Sequence, residues 1–269
     1  MINLTQTRLY LFDMDGTLYL GEQLFPKTAE LLNTIRAQGK QYLFLTNNSS
    51  KCAADYVKKM ARLGISTQGS DFLTSSQVTA EYLSEHFPDT TIYVAGTASF
   101  CKELLLHNLH ITTHLEEGIG CVVCGFDTEL TFQKLEELSI LLSGPEIPFI
   151  ATNPDLVCPT EYGYVPDCGS VCEMLFHATG KKPLIIGKPS PLMPQLACRK
   201  FGCQPNEAIV VGDRLYTDIA CGLNAGIPTL LVLSGETDRK MAEQSEFQAD
   251  AVMQDIGKLL LELQRLQKG

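Results

Sequence analysis

The chain has 269 residues, 45% of them apolar and 19% charged, with a formal net charge of −10 and a sequence pI near 5.0. This acidic, ordinarily globular composition excludes a non-specific nucleic-acid binder but leaves room for a local positive site that takes a small anion. No stretch approaches the roughly 18 apolar residues of a membrane span. The N-terminal "MINLTQTRLYLF" lacks the basic-then-apolar pattern of a signal peptide, so no membrane partner and a cytoplasmic location are expected.

Short β-rich runs alternate with helical stretches. In chain order the strand candidates are 8–12, 42–46, 92–96, 121–126, 148–152, 183–187, 208–212 and 229–233. Most are continuous apolar runs, as in strands covered on both faces. Pro26 opens a helix that ends at Gly39, and Ser49 or Ser50 is expected to cap the next, with Ala53, Val57 and Met60 on one face and Gly64 past its end. Further helices are expected near 77–85, 98–108, 131–143, 170–179, 191–201, 216–224 and 255–267. Strand–helix alternation predicts parallel β-α-β units, hence an α/β protein.

Four strand ends carry polar or glycine clusters: Asp13-Met-Asp-Gly, Thr46-Asn-Asn-Ser, Gly187-Lys-Pro-Ser and Gly212-Asp-Arg. Sites in open α/β sheets form at the carboxyl ends of strands. The clusters come from the two ends of the chain, while 76–182 has strands and helices of its own. The expected organisation is a Rossmann-like parallel-sheet core of 1–75 and 183–269, interrupted by an inserted α/β module of 76–182.

Asp13 and Asp15 place two like charges at the end of a buried run, where each raises the cost of ionising the other. A calcium loop also begins D-x-D, but here the sixth position is Leu18 rather than Gly and a strand precedes the pair. A turn chosen for its Asp and Gly would explain this motif alone. It does not explain the motif together with "LTN" at 45–47, "GKP" at 187–189 and "GDRLYTD" at 212–218, each at a strand end.

These four motifs, "DMDGT" (13–17), "TN" (46–47), Lys188 and "GDRLYTD", resemble the signatures of the haloacid dehalogenase superfamily in their usual order. "GKPSP", "ATNPD" and "GSV" narrow the resemblance to the subclass with a large α/β cap between the second and third motifs. That is the 4-nitrophenylphosphatase group, with the N-acetylglucosamine-operon, phosphoglycolate and pyridoxal phosphatases.

The resemblance implies a Mg²⁺-dependent phosphomonoester hydrolase that works through an aspartyl-phosphate. It makes Asp13 the nucleophile and Asp15 the acid that protonates the leaving group and then activates water. Thr46, Asn47 and Lys188 become phosphate ligands, and Lys188 also neutralises Asp13. Asp13, Asp213 and the backbone carbonyl of Asp15 become magnesium ligands, with Asp218 supporting a water on the metal or Lys188. Dehalogenases in this superfamily lack an acid at the Asp15 position and P-type ATPases carry Thr there, so Asp15 points to a phosphatase or phosphomutase. The large cap favours the phosphatase. A phosphomutase or phosphotransferase, and a catalytically silent binding protein, are the rival readings. The implied partner is a small phosphorylated metabolite, not a nucleic-acid polymer, and a homodimer is the assembly to look for.

The cap loop supplies the specificity candidates Asn153, Asp155 and Asp167. Asp167 stands where the family pattern has Gly after Pro166, so it is either a group that repels a second substrate anion or a surface turn that tolerates Asp. The ten cysteines read as reduced thiols packed as small hydrophobes, including the C-x-x-C at Cys121 and Cys124, which falls inside a strand. His107, His110 and His114 straddle a helix-to-strand change and read as surface residues. "GKPS" at 187–190 lacks the spacing of a nucleotide P-loop.

Overall fold

The computed structural model of the chain describes residues 2–144, 146–160 and 162–268. It divides into two compact units: Met1–Thr46 with Ala53–Leu73 and Lys188–Gly269, and Asn47–Cys52 with Thr74–Gly187.

The first unit is built on a six-stranded sheet. Its order is Ala251–Met253, Thr229–Val232, Ala208–Gly212, Leu9–Phe12, Gln41–Thr46 and Phe72–Thr74. The first five of these pair in parallel. Leu9–Phe12 lies between two neighbours and is buried throughout, because its apolar residues serve both faces of the sheet. On one face Tyr10, Phe12, Phe44, Ile209 and Val211 pack with Leu31 and Ile35 of helix Thr28–Ala37 and with Leu259 and Leu263 of helix Ile256–Lys268. Burial of such side chains contributes about 1.5–3 kcal/mol each, enough to carry charged groups at the strand ends.

The second unit repeats the architecture on a smaller scale. Its five parallel strands run in the order Leu184–Ile185, Phe149–Ala151, Ile119–Cys124, Thr91–Ala95 and Ile111–Thr112. Helices Phe132–Ser143 and Cys168–Thr179 pack Leu138, Leu142, Val171 and Leu175 against it.

The 183–187 run was expected in the core sheet. Its strand instead pairs with Phe149–Ala151, so the second unit runs to Gly187 rather than to 182. A short apolar run suits either sheet, and only the pairing partner distinguishes them. The second unit also takes in 47–52, which the sequence had left with the core. Neither expected cap starts helix Ala53–Arg62. The Ser49 hydroxyl accepts from Phe126 N at 2.7 Å, and that of Ser50 donates to Asn48 Oδ1.

Several two- to four-residue strands went unread, among them Phe72–Thr74, Ala251–Met253 and the hairpin Val157–Thr160/Gly163–Pro166. They are too short to show a period. The 216–224 helix opens with a π-helical turn, Leu215–Ile219, before Ala220–Ala225.

Cys121, Cys124, Cys168 and Cys172 are buried as thiols. Among the described residues no helix is long and apolar enough to cross a membrane.

Candidate active site

Asp13 continues the strand Leu9–Phe12, its backbone N–H donating to Val211 O at 2.8 Å. The chain then turns sharply. Gly16 adopts a φ of +88°, and a Cβ there would lie 2.7 Å from Asp213 Cγ, so only glycine fits. The turn brings Thr17 to Asp213, with Oγ1 donating to Oδ1 at 3.2 Å. Asp213 itself follows the strand Ala208–Gly212.

A loop that sequence reasoning passed over completes this corner. After Thr229–Val232, the Ser234 hydroxyl donates to Gly16 O at 2.8 Å and Glu236 N donates to Asp213 Oδ2 at 2.7 Å. Between them, a Cβ on Gly235 would sit 2.5 Å from Asp213 Cγ and 2.8 Å from Gly16 Cα. "SGET" at 234–237 follows an apolar run as the four recognised clusters do, and that was the available signal.

Lys188 is buried and joins the strand-end carboxylate of Asp13 to that of Asp218, which lies in the turn Leu215–Ile219. Its Nζ lies 2.5 Å from Asp13 Oδ1 and 2.6 Å from Asp218 Oδ1, with a longer contact to Leu45 O at 3.5 Å. Asp218 is held in turn by Arg214 N, 3.1 Å from Oδ2, and Arg214 Nε pairs with Glu236 at 3.0 Å. Burial alone would lower the Lys188 ammonium, but Asp13 and Asp218 outweigh it and hold its pKa above the ordinary value.

Oxygens of Asp13, Asp213 and Asp218 all lie within 4.8 Å of one another. Lys188 and Arg214 face the carboxylates of Asp13, Asp213, Asp218 and Glu236, so the corner is short of positive charge. Burial, and then Asp218, push the Asp13 carboxyl well above its usual range despite Lys188. Burial and Asp218 likewise push Asp213 up to about 6. A hard divalent cation fits this all-oxygen set, because it takes carboxylate ligands and supplies the missing charge.

Asp15 stands apart from that cluster. Its side chain is 47% exposed and its Oδ2 lies 3.8 Å from Lys59 Nζ. Its pKa is raised by burial, with Lys59 pulling the other way. Thr46 ends the strand Gln41–Thr46, its Oγ1 within 3.3 Å of Tyr56 OH. The first unit therefore brings together Asp13, Lys188, Asp213 and Asp218, with Thr46 at the end of the strand beside that of Asp13.

The other expected residues belong to the second unit. Asn47 Nδ2 donates to Asp155 Oδ2 at 2.8 Å, and Asn153 Nδ2 donates to the same oxygen at 2.9 Å and to Asp167 Oδ1 at 3.1 Å. Asp167 is not a surface turn. It is buried and caps helix Cys168–Thr179, accepting from Cys168 N at 2.5 Å. A buried carboxylate needs such donors, and the helix N-terminus supplies one. His110 and His114 are exposed and His107 is half-buried; none enters a metal-ligand group among the described residues.

The chain matches two family models, haloacid dehalogenase-like hydrolase over residues 10–110 and HAD-hydrolase-like over 185–259. It is 35% identical over 231 residues to a 5'-nucleotidase of Bacillus subtilis, covering 86% of this chain and 89% of that one. The crystal structure of a 4-nitrophenylphosphatase from Thermotoga maritima superposes with a TM-score of 0.90 at 39% identity, covering 96% and 98% of the two chains. A glycerol phosphate phosphatase from Mycobacterium tuberculosis, solved in complex with magnesium, gives a TM-score of 0.88 at 30% identity over 96% of this chain and 75% of that one. Two strand-end acids, a lysine between carboxylates and near full-length likeness to phosphatases converge: the chain belongs to the haloacid dehalogenase-like hydrolases and is a phosphatase.

Proposed function

We propose that the protein hydrolyses phosphomonoesters of small metabolites with Mg²⁺, through an aspartyl-phosphate on Asp13. The observation that carries this reading is the Lys188 ammonium set between Asp13 at 2.5 Å and Asp218 at 2.6 Å, in a corner that still holds a surplus of carboxylate.

Lys188 engages Oδ1 of Asp13, which directs attack on phosphorus to Oδ2. As that P–O bond forms, the ester P–O bond breaks, and the Asp15 carboxyl gives its proton to the leaving oxygen. The raised pKa of Asp15 keeps more of it protonated near neutrality than an ordinary aspartate. Asp15, now a carboxylate, then takes a proton from water attacking the phosphorus. The P–O bond to Asp13 breaks, inorganic phosphate leaves and both acids are restored. Thr46, Asn47 and Lys188 bind the phosphoryl oxygens, and Asp13, Asp213 and the Asp15 carbonyl would hold a magnesium ion, with Asp218 beside them. When bound, that ion supplies positive charge against the phosphoryl oxygens.

A panel of nucleoside monophosphates, sugar phosphates, phosphoglycolate and pyridoxal phosphate, assayed with Mg²⁺ and with EDTA, tests the reading. Magnesium-dependent release of free phosphate is expected. A rearranged sugar phosphate, or turnover unaffected by EDTA, would sink it.

The carboxylates also set a pH dependence. Asp213 has a folded pKa of about 6 against an ordinary 3.8. An acid raised by folding weakens the fold as pH climbs through that interval, because the folded state gives up a proton it prefers to keep. A magnesium ion held by the deprotonated carboxylates would compete with the proton and oppose this trend. Magnesium is therefore expected to raise Tm more at about pH 7.5 than at about pH 5, and thermal melts at the two pH values check it.

A further inference from the structure

The cap-loop acids Asp155 and Asp167 share a polar network with Asn153. Asn153 is fully buried, and its amide is held at both ends: Oδ1 accepts from Thr152 Oγ1 at 2.8 Å, while Nδ2 reaches Asp155 and Asp167. Thr152 in turn meets Ser49 at 2.9 Å. Asp167 is fixed by the helix it caps. Asp155 is thus held in a polar network with Asn47 and Asn153, whose other members include the buried Thr152 and Asp167.

The same network grips the 47–52 segment. Ser75 Oγ donates to Asn47 O at 2.6 Å, Ser76 Oγ donates to Ser49 O at 3.2 Å, and Phe126 N donates to Ser49 Oγ. Gly187 closes the remaining side, since a Cβ there would lie 2.6 Å from Asn47 Oδ1. Backbone and side chain of Asn47 are constrained together, and Asp155 is the partner that aims its Nδ2.

We infer that Asp155 is a positioning residue: it orients the Asn47 amide, one peptide bond beyond Thr46, for the transferring phosphoryl group. This rests on the reading of Asn47 as a phosphate ligand. Asp155 acts through Asn47, and Asn153 transmits to it the order of the capped helix Cys168–Thr179. A phosphate ligand misplaced by about 1 Å costs on the order of 100-fold in rate, so the aim matters as much as the amide.

The test is a double-mutant cycle on the full-length enzyme with Mg²⁺ and 4-nitrophenyl phosphate. Asp155→Ala is expected to lower kcat/KM by about 10- to 100-fold and to weaken inhibition by inorganic phosphate. In an Asn47→Ala background the same change is expected to do almost nothing, because the residue it positions is gone. Asp155→Asn, whose amide oxygen can still accept from Asn47, is expected to recover activity to within about fivefold of wild type. If Asp155→Ala fails to fold, Asp155→Ser, too short to reach Asn47, replaces it in the cycle. Losses that add in the double variant, or wild-type kinetics for Asp155→Ala and Asp155→Ser, overturn the inference while leaving Asn47 as a ligand. Wild-type kinetics for Asn47→Ala instead remove the reading of Asn47, and the inference falls with it.

Discussion

Asp13→Asn is expected to lower turnover of 4-nitrophenyl phosphate by about 10⁴-fold or more, since losing a nucleophile removes the reaction path rather than a share of binding. The fold should survive. Asn has nearly the shape of Asp, and its backbone N–H keeps its bond to Val211 O. In the absence of metal the variant should melt no lower than wild type. It removes one of three crowded carboxylates, and Asp13 is already pushed toward its neutral form by burial and by Asp218. Activity assays alongside thermal melts in EDTA separate the two effects. Near wild-type turnover with an intact fold would end the assignment of Asp13 as nucleophile.

Lys188→Met has the other large expected effect, and it reaches stability as well as rate. Lys188 is the cation between Asp13 and Asp218. Removing one partner of a buried ion pair costs about 3–5 kcal/mol, because the remaining charges stay buried without compensation. Turnover should fall by about 10²–10³-fold, the usual scale for losing a charge that stabilises a transferring group. Adding Asp218→Asn to Lys188→Met removes one stranded carboxylate and should return part of the stability but none of the activity. Urea melts in EDTA measure the first outcome and kcat/KM the second. A Lys188→Met protein as stable and as active as wild type would contradict both.

Much of this was legible in the residues. The apolar run Leu9–Phe12 became a fully buried strand of the larger sheet, and Ala208–Gly212 its neighbour. Both acids that follow these strands sit at the carboxyl ends, where a parallel sheet gathers its loops. Asp13, Lys188 and Asp213 could be named because strand-end polar clusters are a local pattern. Asp218 was named too, but its place among the three clustered carboxylates could not be. The turn at Leu215–Ile219 that sets its direction is a π-helical one without a sequence period.

What failed did so for one kind of reason. Asp167 read either as a substrate-facing anion or as a tolerated turn residue, because Asn153, one of the groups that holds it, lies 14 residues away in the chain. The loop 234–237 was missed because its partners, Gly16 and Asp213, lie far away in the chain.

The reaction class was implied by the resemblance of four motifs to the haloacid dehalogenase signatures; the sequence by itself determined the alternation of strands and helices and the polar clusters at the strand ends. Each depends on hydrophobic period, turn chemistry and residue type, which act within a few residues. Tertiary structure alone decided that Leu184–Ile185 joins Phe149–Ala151, that Ser234 and Glu236 secure Gly16 and Asp213, and that Asn47 is aimed by Asp155. Those are choices of partner. A hydrogen-bonding or apolar group states in sequence that it needs a partner, but which one it meets is fixed only when distant segments pack.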